Sequence, residues 1–437
     1  MSSIIKSNFH VFSATKFLES YSSNSASNLY LFIGRPYPWV SDSSPDTPLD
    51  SVSEERSYWN DMIAMKRVTP SDVKHVARKI NWNSGQVFDQ YDSYDANLYN
   101  RNFYVVTNEN NVYKCLANNY GGASIIKPTG IGNYVIETSD GYKWKYLYTL
   151  EDNDLLKFNT DLYMAVNKNL SVSSVTTNGS IEHIQVTNSG AGYSNVANLN
   201  VSIIGDGINA SATPIVSGSS NIISKINITN IGNGYTFANI VISGGGGTGA
   251  TAKAMISPPG GHGSNPIYEL DAKYIMLNTR LDFAEGNGDF PATNEYRRIG
   301  LISNPISSYT NLPAQETTLN ATYQINLSGF TANLTLDEYV VGTTSNANIR
   351  VVDFRRIPVA DVGYVRYIQG PGITENSNNF ITNELVIGKS SGVTGDFLQK
   401  INPEVVHNTG KILFAENRRP ITRASDQSEN IHIVIEF

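Results

Sequence analysis

The stretch VTNSGAGYS at 186–194 recurs as ITNIGNGYT at 228–236. Each copy is followed by a short apolar run and a turn of small residues, VSIIGDGINASAT after the first and IVISGGGGTGATA after the second. Self-similarity of this kind marks one supersecondary unit used twice. Two copies are too few for a solenoid. Residues 171–266 therefore read as an inserted β domain made of two small β units with a tandem G-x-G-Y repeat. A weaker repeat pairs EYVVGTTS at 338–345 with ELVIGKSS at 384–391. Each reads as a strand, a glycine turn and a return strand, so 306–404 reads as a second inserted small β domain.

The remaining text is mostly strand-like. NLYLFIG at 28–34 is a continuous apolar run ending in glycine, the pattern of a buried strand. From 88 to 148 the pattern is β and rich in tyrosine, and Asn108 to Asn111 lies between two apolar runs as a hairpin loop would. At the C-terminus Ile431, Ile433, Ile435 and Phe437 alternate with His432, Val434 and Glu436, the period of a half-buried strand. Unpaired terminal strands are unstable, so this one needs a partner among the early strands or in 267–305. Two helices are expected. In one, Ser51 and Glu54 form a capping box and Tyr58, Trp59, Met62 and Ile63 share a face. The other starts at Thr69-Pro70 and carries Val73, Val76, Ala77 and Ile80. The fold class is thus mainly β with a few short helices (α+β). It is multidomain: a discontinuous β-sandwich-like frame from 1–170, 267–305 and 405–437 carries the two inserted modules.

Bulk properties narrow the function. The chain has 437 residues, with 32 Lys+Arg against 39 Asp+Glu and a formal charge of −7. A broad nucleic-acid face needs clustered positive charge, so no nucleic-acid partner is expected. The single cysteine, Cys115, can form neither an intramolecular disulfide nor a multi-cysteine zinc site. No apolar run approaches the ~18 residues of a membrane span, and the first residues lack a signal-peptide core. Use in soluble form is the expectation.

Motif-like stretches give structural readings. GGGGTG at 244–249 lacks the G-K-[ST] ending and the following helix of a phosphate loop. Gly388-Lys389-Ser390-Ser391-Gly392 matches G-x-S-x-G, but its flanks read as two strands, whereas a nucleophile elbow needs strand-to-helix. Asp89, Asp92 and Asp95 read as a solvated loop, since their spacing is not that of a calcium loop. His10, His75, His183, His262, His407 and His432 show no metal-ligand spacing, and His262 within PPGGHGSNP reads as bonding backbone. No catalytic, cofactor or metal residue is assigned, and the chain reads as a non-enzyme without a cofactor. The many tyrosines suit β cores and interfaces; a host-glycan contact stays open.

Five segments carry a resemblance: LYLFIGRPYPWVSD, DSVSEERSYWNDMIAMKRVTPSDV, GYKWKYLYTL, YRRIGLISNPI and the closing GKILFAENRRPITRASDQSENIHIVIEF. In this order they resemble the homodimeric baseplate wedge subunit of T-even-type contractile-tailed phages. The likeness spans the frame and leaves out both modules. It implies a structural, non-enzymatic virion protein of the tail baseplate, assembled in the host cytoplasm. The implied partners are a second copy and other wedge subunits. On this reading Glu416, Arg418 and Arg419 orient the approach to the last strand by ion pairs within the fold or across a subunit contact, and Pro420 fixes the backbone there. A solvated turn at these residues is the competing reading. The alternative function is a receptor- or glycan-binding tail protein. The modules are expected to contact further baseplate proteins.

Overall fold

The computed structural model describes residues 4–21, 27–282, 295–368, 379–422 and 428–437. Strands dominate these residues, joined by five short α-helices, so the chain is mainly β and multidomain. It forms two compact units. One comprises Met1–Lys16, Lys74–Met276 and Val434–Phe437; the other comprises Phe17–Val73 and Leu277–Ile433. Residues 74–170, expected in the frame, thus share a unit with 171–266. No helix among the described residues is long and apolar enough to cross a membrane.

In the second unit the apolar run at 28–34 becomes Leu29–Gly34, buried at every position. It is the central strand of its sheet, and Tyr30 and Phe32 pack in one core cluster with Trp59, Ile302 and Leu319. The antiparallel strands Met62–Val68 and Tyr296–Ser303 flank it, and Thr318–Asn320 and Lys411–Ile421 form the sheet edges. The first expected helix is shorter than its apolar pattern suggests. It covers Val52–Asn60, with the Ser51 hydroxyl accepting the Glu54 N–H at 3.2 Å. Tyr58 and Trp59 lie on its buried side, whereas Met62 and Ile63 belong to the next strand. Pairing with the central strand there outweighs helical continuation. The second expected helix is a single 3₁₀ turn, Pro70–Asp72, closed by Thr69 N–H to the Asp72 carboxylate at 3.0 Å. Val73, Val76 and Ala77 then lie on the strand Val73–Arg78, and Ile80 follows it. Valine is stiff at χ1 and packs well on a pleated surface, so strand pairing wins over the helical spacing.

The weaker repeat is a closed six-stranded barrel. Its order is Tyr323–Ser328, Val362–Ile368, Asn348–Ile357, Tyr339–Gly342, Leu385–Gly388 and Thr394–Ile401. Glu338 and Glu384 hold equivalent places in the two copies. Glu338 accepts N–H groups of Thr335, Ser390 and Ser391 at 2.6, 2.9 and 3.0 Å. Glu384 accepts those of Ile381, Thr344 and Ser345 at 2.6, 3.0 and 2.9 Å. Each glutamate therefore ties down the turn of the other copy. Burial pushes both carboxyls up, but these hydrogen bonds outweigh it and hold both below the ordinary glutamate range.

In the first unit the G-x-G-Y repeat is interlaced. One copy supplies Ile181–Ala191, Asn200–Gly205 and Ile208–Val216; the other supplies Ile223–Asn233, Ala238–Ser243 and Thr248–Ile256. The first strand of each copy pairs with the third strand of the other, and the middle strands pair together. The registers correspond: Ala210 opposite Ile231 answers Ala250 opposite Ser189, and irregularities fall at Ser211/Ala212 and Thr251/Ala252. One core draws Ile181, Ile184 and Val201 from one copy and Ile223, Ile226 and Ala254 from the other. The motif has a mechanical basis. Gly190 and Gly232 both have φ of 61°. A Cβ would lie 2.5 Å from the Ala250 nitrogen at the first and 2.6 Å from the Ala210 nitrogen at the second. The hydroxyls of Tyr193 and Tyr235 accept those same two N–H groups, at 3.1 and 3.3 Å.

A four-stranded sheet adjoins this module, in the order Tyr104–Val106, Asn111–Asn118, Tyr142–Thr149 and Val135–Glu137. The expected hairpin joins its first two strands, with Asn110 at φ 63° in the turn. The terminal strand, Glu429–Glu436, is an edge strand beside Tyr274–Leu281, followed by Val73–Arg78 and Tyr163–Ala165. Its end is tied by Lys273 to Glu436 at 2.7 Å and by Phe437 N–H to the Lys273 carbonyl at 3.3 Å.

Replacing Gly190 or Gly232 by alanine should lower stability by about 2 kcal/mol or more, because a left-handed backbone and a backbone clash coincide. Gly218→Ala has open space around the added carbon. It should stay within about 0.5 kcal/mol of wild type. Urea unfolding midpoints of the three variants test this pair of expectations.

Candidate functional site

Consecutive strand residues point to opposite faces, so Arg297 and Arg298 serve two clusters in the second unit. Arg297 reaches the Asp42 carboxylate twice at 3.0 Å and the Pro36 carbonyl at 2.9 Å. Arg298 donates to both oxygens of Asp61 at 2.9 and 2.8 Å, and its Nε donates to Asn417 Oδ1 at 2.8 Å. The Arg298 and Asp61 side chains are each 1% exposed. The Tyr58 ring lies 4.4 Å from the Arg298 guanidinium. Arg35 stacks over Trp39 at 3.5 Å and Tyr37 at 4.5 Å, and Tyr37 donates to Asp61 at 3.2 Å. Arg35 has φ of 56°, a left-handed value costing about 1–2 kcal/mol outside glycine. Its N–H bond to the Asp61 carbonyl at 2.8 Å helps to hold it. Burial pushes the Asp61 carboxyl up to about 6, against the opposing pull of Arg298 and Arg35.

Glu416, Arg418, Arg419 and Pro420 lie beside this cluster, within the edge strand Lys411–Ile421. The register there passes from Arg298 opposite Asn417 to Tyr296 opposite Ile421, so 418–420 bulge out of the ladder. Proline is tolerated at such a bulge on an edge strand. Arg418 pairs with Glu416 at 2.9 Å, both near half-exposed. The Arg418 carbonyl accepts Trp39 Nε1–H at 2.9 Å, and Arg419 Nε donates to the Ser43 carbonyl at 3.2 Å. These four residues therefore occupy the strand before the last one, with Arg418, Arg419 and Pro420 exposed to solvent. Residues 423–427, between this strand and the last one, lie outside the described residues.

The first unit carries a different charge cluster. Lys143 and Lys145 alternate with Tyr142, Trp144 and Tyr146, and Lys114 stands opposite Lys145 in register. The three lysines thus share one sheet face. Lys145 pairs with buried Glu182 at 2.7 Å, and Lys114 pairs with buried Glu269. Lys114 also meets His262 Nδ1 at 3.1 Å, and His262 packs edge-on against Tyr91. His262 therefore contacts a lysine side chain where a backbone partner was expected. Burial, followed by Lys114 and Lys145, pushes His262 well down. Beside this network lies a cleft of about 610 Å³ lined by Tyr91, Tyr94, Tyr99 and Tyr235 together with Asp92, Asp95, Lys114 and Glu269. Asp92 pairs with Lys253 at 2.7 Å, and Asp95 with Arg101 at 3.2 Å.

The other motif-like stretches are turns. Gly388 to Gly392 links two barrel strands, and 244–247 links Ala238–Ser243 to Thr248–Ile256. Among the described residues no group of three or more His, Cys, Asp or Glu side chains is placed to hold a metal. The roles of Arg35, Asp61, Arg298 and Lys114 escape periodicity analysis, because each charged residue sits where an apolar one would also fit. One signal was available: alternating Lys and aromatic residues in KWKY imply a basic sheet face that needs covering. No protein-family model matches this chain, and no curated protein matches it.

Removing one partner of a buried ion pair strands the other charge. Arg298→Met or Asp61→Asn should cost about 3–5 kcal/mol, and the double variant less than the sum of the two. A double-mutant cycle by urea denaturation measures this. A second expectation concerns acid. Burial, then Lys143 and Lys225, push His183 down to about 3. The unfolded chain takes up that proton near pH 6.5. Stability present above pH 6.5 is therefore lost as pH falls toward 3. Between pH 7.5 and 5.5 His183 should account for about 1.4 kcal/mol of lost stability, a slope that His183→Asn removes. Unfolding of both proteins at the two pH values gives the comparison.

Proposed function

We propose that this chain is a structural subunit of a contractile-tail baseplate wedge, acting as a homodimer in contact with neighbouring wedge subunits. One observation carries the reading. Four of the five segments that resemble the wedge subunit, drawn from three separate regions of the sequence, converge on one buried cluster: Arg35 and Trp39, Tyr58 and Asp61, Arg298, and Asn417. Convergence of this kind is what a shared frame requires. The charged bulge at 416–420 borders the cluster and offers half-exposed arginines for a subunit contact. In this reading the work is mechanical, done by rigid modules and specific surfaces rather than by chemistry. The place of action is the virion tail baseplate.

A second reading, receptor or glycan binding, draws on the tyrosine-lined cleft of the first unit. Aromatic faces with carboxylates between them suit sugar rings.

Light scattering across a concentration series separates the two. The wedge reading expects a dimer in closed two-fold contact. It also expects Arg418→Ala/Arg419→Ala to weaken dimerisation about tenfold while changing stability by no more than about 1 kcal/mol, since exposed ion pairs add little. A stable trimer, or a monomer even with wedge subunits co-expressed, would reject it and put the cleft first.

A further inference from the structure

On the lysine-bearing sheet face of the first unit, Lys114 has Glu269 and Lys145 has Glu182. Lys143 has no carboxylate within 4.0 Å among the described residues, although it is 9% exposed. It lines a cavity of about 150 Å³ whose other polar walls include His183, Lys225, Glu137 and Gln185. His183 is just as buried, and its Nδ1 has no hydrogen-bond partner. The Glu137 carboxylate is engaged by Lys225. Two ammonium groups, one carboxylate and a neutral imidazole leave the cavity with an excess of positive charge.

Burying an ammonium without a counter-charge costs several kcal/mol. Burial, then Lys225, pushes the Lys143 ammonium down, with only Glu137 opposing. We propose that this cavity is an oxyanion site, in which the Lys143 ammonium and the His183 Nδ1–H together bind one carboxylate, phosphate or sulfate group of a small solute, with Lys225 reinforcing them. The volume suits a single such group with a short stem. At the cavity Tyr120 is 67% exposed, and Asn119 and Tyr120 hold φ of 47° and 56°. Strained backbone of this kind clusters at ligand sites. The exposed ring gives the remainder of an acidic sugar a flat surface to lie on. The wedge reading plays no part in this argument.

The test uses the full chain with isotope-labelled histidine, His183 being assigned by loss of its signal in His183→Asn. Inorganic phosphate, acetate and glucuronate are each titrated at constant ionic strength. A saturable movement of the His183 resonance and a rise in its pKa are expected in wild type and in Lys143→Arg. In Lys143→Met the affinity should fall about tenfold or more. Glucuronate binding tighter than acetate assigns the site to an acidic sugar; phosphate binding tighter than both assigns it to a phosphate group. No saturable response in wild type, or an unchanged affinity in Lys143→Met, overturns the proposal. If Lys143→Met does not fold, Lys225→Met takes its place. Its greater exposure makes folding safer, and it should weaken binding several-fold; unchanged affinity there also overturns the proposal.

Discussion

A three-stranded sheet has two open edges and one apolar face, and it cannot cover that face by itself. Both modules of this protein meet the difficulty by duplication. In the G-x-G-Y module the first strand of each copy lies on the third strand of the other, so neither copy completes its ladder alone. In the barrel the two copies close a ring of six strands, which removes sheet edges altogether. The recurring residues are those the joints require. Gly190 and Gly232 let one copy's backbone approach the other's alanine, while Tyr193 and Tyr235 take up the N–H found there. Glu338 and Glu384 perform the corresponding task in the barrel by reaching across to the partner turn. Repetition in this sequence is therefore a record of contacts between copies, which is why the repeats stop short of a solenoid.

Much of this was legible in the residues. The buried central strand, the Asn108–Asn111 hairpin, the Ser51 cap and both repeats follow from apolar runs and turn chemistry, whose causes are local. The errors also have local causes. Met62 and Ile63, like Val73 and Val76, satisfy helical spacing, but they lie next to strands with which they pair. Apolar spacing records which residues are buried and leaves open which neighbour buries them. The candidate site was less legible. Glu416 to Pro420 stand out in the sequence as a charged segment, yet their bulge depends on register against Tyr296 and Arg298, more than a hundred residues away in sequence. The lysine face depends on Glu182 and Glu269, which only the folded chain brings over it.

Buried charge divides the labour between specificity and binding. Arg298 with Asp61, Lys145 with Glu182 and Lys114 with Glu269 are pairs in which both partners are almost fully covered. Desolvation offsets most of the attraction in such pairs, so they add little net stability over apolar residues of similar volume. Their cost in an incorrect register is large. A slip of one residue turns every side chain of a strand to the opposite face, and a slip that brings Ile299 to the place of Arg298 would leave Asp61 without its partner. Apolar strands such as LYLFIG, buried on both faces, carry little register information of their own. Neighbouring charged residues supply it. Lys143 stands outside this scheme: it shares the face of Lys145, but its cross-strand neighbour Glu137 is taken by Lys225, so register alone does not account for it. A charge retained in a sheet interior with its nearest carboxylate already engaged is better explained by an anion that arrives from solution.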